Sequence, residues 1–112
     1  MVKIVNGYSS LREIQKQIGE DSKAFFPELA DDLVHHVLGL CGEAGEVANL
    51  FKKVQRGDLS FEEEDTISMF LDELADVLIY TLSIAEVIGV DLGECYRVKR
   101  EYNQSRFNPE FQ

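Results

Sequence analysis

The sequence predicts an all-α, four-helix, bundle-like domain, and three observations predict it. Apolar residues recur at helical spacing over long stretches, and no run alternates long enough to make a half-buried strand. Capping residues and glycines bracket those stretches. Only two prolines occur, Pro27 and Pro109, and both fall outside the periodic stretches. With 112 residues, 45% of them hydrophobic, the chain can build one domain with a modest core and is too apolar for disorder. We expect a single domain over residues 1–112, with no linker and no internal repeat.

The elements follow in order. A first helix is expected from about Ser10 to Glu20, opened by a capping box between Ser10 and Glu13. A second runs from about Glu28 to Arg56, with Pro27 just before it and Gly57 placed to end it. A third starts between Ser60 and Asp65, with Ser60 and Glu63 as a further capping box, and closes at Gly89 after Ile88. The fourth opens at Asp91, with Glu94 at its third helical position, and is stopped near Phe107 by Asn108-Pro109. The acidic run Glu62-Glu63-Glu64-Asp65 reads as a solvated helix start that complements the helix dipole. Gly39, Gly42 and Gly45 stand at spacing three on the second helix, a small-residue stripe that lets another helix or a ligand come close.

Charge and cysteine content exclude several functions. A formal net charge of −10 repels nucleic acid and suits cations. Cys41 and Cys95 are too few to staple a secreted mini-protein, so reduced thiols in a cytoplasmic protein are expected. Met1–Tyr8 lacks the apolar stretch of a signal peptide. The apolar run Leu74–Val90 is interrupted by Asp76 and Glu86, so it reads as a buried helix and no membrane partner is expected.

The most informative feature is two pairs of carboxylates in apolar helical sequence. Glu43 and Glu46 lie in Gly42-Glu43-Ala44-Gly45-Glu46-Val47, and Glu73 and Asp76 in Leu71-Asp72-Glu73-Leu74-Ala75-Asp76-Val77-Leu78. Spacing i, i+3 puts each pair on one helix face. Burying an ionised carboxylate without a partner is costly, so four of them invite a cation. If the second and third helices pack antiparallel, the four groups converge. Oxygen-only ligands suit Mg²⁺, with Mn²⁺ as a possible substitute. Neither cysteines nor histidines have zinc-ligand spacing, and His35 and His36 do not complete a di-iron motif.

These residues resemble the MazG-like nucleotide pyrophosphohydrolases of the all-α NTP pyrophosphatase superfamily. Gly39-Leu40-Cys41-Gly42-Glu43-Ala44-Gly45-Glu46-Val47 is close to that family's first motif, and Asp72-Glu73-Leu74-Ala75-Asp76-Val77-Leu78 to its second. Asn103-Gln104-Ser105-Arg106-Phe107 resembles its C-terminal element. The resemblance spans roughly residues 33–107. It implies a Mg²⁺-dependent enzyme that hydrolyses a nucleoside triphosphate to the monophosphate and pyrophosphate, acting as a homo-oligomer, dimer or tetramer, with sites near subunit interfaces. Carried over, Glu43, Glu46, Glu73 and Asp76 hold the metal. Phe25-Phe26-Pro27 stands where several relatives have tryptophan, and this chain has none.

On this reading the ion bridges the carboxylates and the polyanionic substrate and activates water. Glu43 or Glu46 accepts the water's proton. Lys53 lies two turns after Glu46 on the same face, and Lys99, Asn103 and Arg106 share a stripe of the fourth helix, so these four are the candidate phosphate and sugar contacts. Tyr80, one turn after Asp76, and His35 are the candidates for the base pocket, with Phe25, Phe26 and His36 nearby. Two other readings stay open. One is a non-catalytic helical metal-binding or oligomerisation module. The other is a phosphohydrolase acting on another phosphorylated nucleotide, such as an alarmone.

Overall fold

Side-chain caps set most of the helix starts. In the computed structural model, which describes residues 10–111, the Ser10 hydroxyl accepts a hydrogen bond from the Glu13 amide (3.1 Å) and opens α1, Leu11–Phe25. The Asp32 carboxylate accepts from the His35 amide (3.1 Å) and opens α2, Leu33–Gln55. Helix α3, Glu64–Ile88, starts without a side-chain cap but with Glu64 and Asp65 in its first turn. The Asp91 carboxylate accepts from the Glu94 amide (3.2 Å) and opens α4, Leu92–Phe107. A 3₁₀ turn, Pro109–Phe111, follows. No strand occurs among the described residues, so the domain is all-α. The expectation for Met1–Tyr8 lies outside the described residues. Among the described residues no helix is long and apolar enough to cross a membrane.

Two boundaries differ from the expectation, each for a local reason. Helix α1 continues past Glu20 to Phe25, because nothing stops it before Pro27. The ring of Pro27 excludes the helical conformation at Phe26, which sits at φ −136°, ψ 61°. Helix α2 starts at Leu33 rather than Glu28. Residues 27–31 form turns, with the Leu29 amide donating to the Phe26 carbonyl (2.9 Å) and the Asp32 amide to the Leu29 carbonyl (3.0 Å). The proposed capping box at Ser60 is instead a turn, in which the Ser60 hydroxyl accepts from the Glu62 amide (3.2 Å). Gly57 and Gly89 end α2 and α3 at φ 86° and 87°, the left-handed conformation that glycine takes without steric cost.

Helix α3 is the centre of the fold. It packs most extensively on α2 and next on α1, while α4 packs on α1 near its start. Gly39 of α2 meets Tyr80 of α3, and Glu43 meets Glu73 and Asp76, so the two helices run antiparallel. The approach at Gly39 is close enough that a Cβ there would overlap the Tyr80 ring. We expect Gly39→Ala to cost about 1–3 kcal/mol through overpacking, partly offset by roughly 1 kcal/mol of helix propensity. Gly42 faces open space, so Gly42→Ala is expected to stabilise the isolated chain by up to about 1 kcal/mol. Paired urea melts check both signs.

A polar residue ties α1 to the α3–α4 junction. Gln15 is fully buried. Its Nε2 donates to Glu86 Oε1 (2.9 Å) and to the Val90 carbonyl (2.7 Å), and its Oε1 accepts from the Leu92 amide (3.1 Å). The apolar core is small by comparison. Among described residues only Ala30, Leu50, Leu82 and Ala85 are buried apolar side chains. Val34 and Leu38 on α2, and Tyr96, Val98, Tyr102 and Phe107 on α4, are more than half exposed. The radius of gyration, 16.8 Å, exceeds the about 13 Å expected of a compact domain of this length.

Candidate functional site

The antiparallel α2–α3 pair brings acidic residues from both helices together. Glu43, Glu73 and Asp76 each offer a carboxylate oxygen within 4.8 Å of the others, and all three are half-buried. The cause is register: Gly39 seats Tyr80, which fixes the two helices so that Glu43, one turn on, faces Asp76 and Glu73, one and two turns back. Glu46 lies a further turn along α2, exposed and outside this cluster.

The electrostatics show what the cluster lacks. A hydrogen bond with Glu43, then burial, then the charges of Glu43 and Asp72, hold the Glu73 carboxyl above its usual range. Burial, then the charges of Glu73 and Asp72, raise Asp76. Neighbouring carboxylates repel one another, and a cation held between them would offset that repulsion. The donor set is all oxygen, from hard carboxylates, which fits Mg²⁺ or Mn²⁺ and not a thiolate metal. Cys41 and Cys95 are free and exposed.

The other candidates divide into two groups. His35 and Tyr80 come together, with ring centroids 6.1 Å apart in an edge-to-face arrangement. Both line a cavity of about 430 Å³ between α1, the 26–32 turns, α2 and α3, to which Phe25, Phe26 and His36 also contribute. Lys53 is exposed near the end of α2. Lys99, Asn103 and Arg106 sit on α4, which has no extended packing with α2 or α3. There Lys99 Nζ lies 4.8 Å above the Tyr102 ring, and the Arg106 guanidinium lies over the Phe107 ring. Asn103 lines a shallow depression with Arg100 and Phe107. Within one chain, α4 is therefore not packed against the helices that carry the carboxylates.

Sequence reasoning missed Gln15 altogether. A signal existed: Gln15 falls on the stripe of Leu11 and Ile18, the apolar face of α1, where a polar residue must find partners. It also passed over the depth of His36, which is 4% exposed.

Fold and site together define an all-α helical domain with a carboxylate cluster between two antiparallel helices. No family model matches the chain. It is 33% identical over 98 residues to the Gene 37 protein of Mycobacterium phage L5, a match that covers 80% of this chain and 83% of that protein. The chain belongs to the family of that phage protein.

Proposed function

We propose that the protein is a Mg²⁺-dependent nucleoside triphosphate pyrophosphohydrolase, a MazG-like enzyme that releases pyrophosphate and a nucleoside monophosphate. The observation that carries this reading is the convergence of Glu43, Glu73 and Asp76 from two helices, with the Glu73 and Asp76 carboxyls held above their usual range. These three residues would hold the ion, Mg²⁺ or in its place Mn²⁺. When bound, it supplies charge neutralisation for the polyphosphate and activation of water.

The chain's own groups supply the rest. Water attacks the α-phosphorus, the bond to the bridging oxygen of pyrophosphate breaks, and a carboxylate takes the water's proton. Glu43 is engaged with Glu73, whereas Glu46 stands outside the cluster, which favours Glu46 as the proton acceptor. Tyr80 and His35 border the end of the site away from residues 56–63, which join α2 to α3, and there they bind the nucleoside; Lys53 lies toward the opposite end, where cationic groups meet phosphate. Helix α4 does not pack extensively on the helices that carry the carboxylates, so Lys99, Asn103 and Arg106 would meet the site from another copy, and the reading includes a homo-oligomer. The exposed apolar side chains of α2 and α4 support such an assembly.

Pyrophosphate release from a panel of ribo- and deoxyribonucleoside triphosphates, with Mg²⁺ and with chelator, tests the proposal. Metal-dependent release is expected, and Glu46→Gln is expected to lose it while still binding Mg²⁺. A folded protein that binds Mg²⁺ and releases no pyrophosphate from any triphosphate would overturn the reading in favour of a non-catalytic metal-binding module. Sedimentation analysis of the same preparation reads the oligomer.

A further inference from the structure

The outer face of α2 forms a seam that the rest of the described chain leaves open. Val34, Leu38, Cys41, Gly45, Ala48 and Lys52 recur at spacings of four and three, so they make one continuous stripe about 27 Å long. All six are exposed, Val34 and Leu38 by 67% and 66%. A Cβ added at Gly42 or Gly45 would meet nothing within 4 Å. Each glycine weakens the helix relative to alanine, and no contact among the described residues accounts for it. Apart from the two histidines, the charged residues between Leu33 and Phe51 are Glu43 and Glu46. They stand four and seven residues after Gly39, on the side turned toward Tyr80 and α3, so the seam carries no charge before Lys52.

Two gradients run along the seam. Bulk falls from Val34 and Leu38 to Gly45 and Ala48. Charge changes sign, from Glu28, Asp31 and Asp32 at the start of α2 to Lys52, Lys53 and Arg56 at its end, all of them exposed. Neither Asp31 nor Lys52 takes part in an ion pair among the described residues. A chain of net charge −10 repels its own copies, so a face that a second copy can approach must be neutral or complementary to itself. Two α2 helices laid antiparallel satisfy both conditions. Leu38 then falls opposite Ala48 and Cys41 opposite Gly45, so the bulky half of each helix fills the small half of the other. Lys52 comes level with Val34 of the other copy, about one turn from its Asp31. Each contact occurs twice, as an isologous two-fold interface requires. Parallel pairing would set Gly45 on Gly45 and Lys52 on Lys52, which leaves a gap and brings like charges together.

We infer that the outer face of α2 docks a second copy of this chain, as an antiparallel helix pair closed by Asp31–Lys52 ion pairs at both ends. The two-fold axis crosses α2 level with Glu43, whose side chain points the other way, into the cluster with Glu73 and Asp76. The pair therefore leaves both carboxylate clusters uncovered. Gly42 and Gly45 acquire a role, because the absence of Cβ atoms lets the two backbones approach closely. The pairing goes beyond the proposed reaction. That reaction calls on α4 of another copy, whereas the seam is a different face and stands on the charge and shape of α2.

Sedimentation of the full chain in chelator and without nucleotide tests the pairing, so that metal and hydrolysis play no part. The parent is expected as a dimer or a larger even assembly. Leu38→Glu is expected to raise the dissociation constant of the pair about a hundredfold or more. Circular dichroism should show its fold kept, because Leu38 is exposed within the chain. Lys52→Glu and Asp31→Lys are each expected to raise the constant about tenfold, since each turns two attractions into repulsions. The two substitutions together are expected to return it to within about threefold of the parent. A short bismaleimide is expected to join two copies through Cys41 in Cys95→Ser and to fail in Cys41→Ser, both thiols being free and exposed within the chain. A monomeric parent, an assembly indifferent to Leu38→Glu, a charge exchange without recovery, or no linkage through Cys41 would overturn the inference. Pairing of this kind without triphosphate cleavage would overturn the proposed reaction and leave the α2 interface standing. Cleavage by a protein that sediments as a monomer would overturn the interface and leave the chemistry.

Discussion

Asp76→Asn is expected to abolish metal-dependent pyrophosphate release and at the same time to stabilise the metal-free protein. The two effects have one cause. Asp76 is a half-buried carboxylate next to Glu73 and Asp72, and burial and those charges raise its pKa. A neutral amide removes the repulsion and the cost of burying charge, so the chelated fold gains. It also removes a hard anionic ligand, and turnover should fall by about two orders of magnitude or more, on the order of 3 kcal/mol of transition-state stabilisation. Glu73→Gln should behave alike, because Glu73 shares the same cluster and its carboxyl is raised by Glu43. Opposite signs for stability and activity separate a functional charge cluster from a structural one. A structural cluster would lose stability with the substitution.

The pH dependence has a definite sign. A carboxyl whose pKa is raised in the folded state binds its proton more tightly there than in the unfolded chain. The folded state then gains relative stability as pH falls into the range between the raised value and the ordinary one, and loses it as pH rises through the raised value. In chelator, the melting temperature of the parent protein minus that of Asp76→Asn should therefore become less negative as pH is lowered from neutral into the carboxylate range. The subtraction removes the contribution of the −10 net charge, which acts on both proteins nearly equally. With saturating Mg²⁺ the proposed metal site predicts that the difference reverses at neutral pH, because only the parent would offer all three carboxylates. A difference that does not move with pH or Mg²⁺ would count against the electrostatic account of the cluster.

The second large effect concerns stability alone. Gln15→Ala is expected to cost about 2–4 kcal/mol, because it deletes three hydrogen bonds and strands the Val90 carbonyl and the Leu92 amide. This is a large share of the roughly 5–15 kcal/mol that holds a typical domain together. Gln15→Leu should recover little of the loss, since it restores volume without restoring partners. If burial of area were the main role of Gln15, leucine would match or exceed the parent. Urea midpoints of the three proteins decide between these outcomes. Loss of this tie also frees the start of α4, whose own residues are mostly exposed and whose packing is confined largely to α1.

Much of this protein was determined by its sequence alone. Helical periodicity and the caps at Ser10, Asp91, Gly57 and Gly89 specify four helices, because capping is local chemistry between residues a few positions apart. The two acidic pairs specify where charge accumulates on α2 and α3. The interruption of helix by Pro27 was legible too, although the length of the turn after it was not. In the folded turn the Ala30 carbonyl meets His36 Nε2 at 2.9 Å, a contact that local propensity does not foretell.

Tertiary structure decided the rest. Sequence spacing places Glu43 with Glu46, and Glu73 with Asp76, but it cannot set the register of one helix against another. That register comes from the close contact of Gly39 with Tyr80, and it selects Glu43, Glu73 and Asp76 while leaving Glu46 to one side. The polar role of Gln15 and the unpartnered Nδ1 of His36 are likewise products of packing, because a polar atom is short of a partner only once its surroundings have excluded water. Local sequence chose the helices and their charges. The long-range contacts chose which of those charges meet.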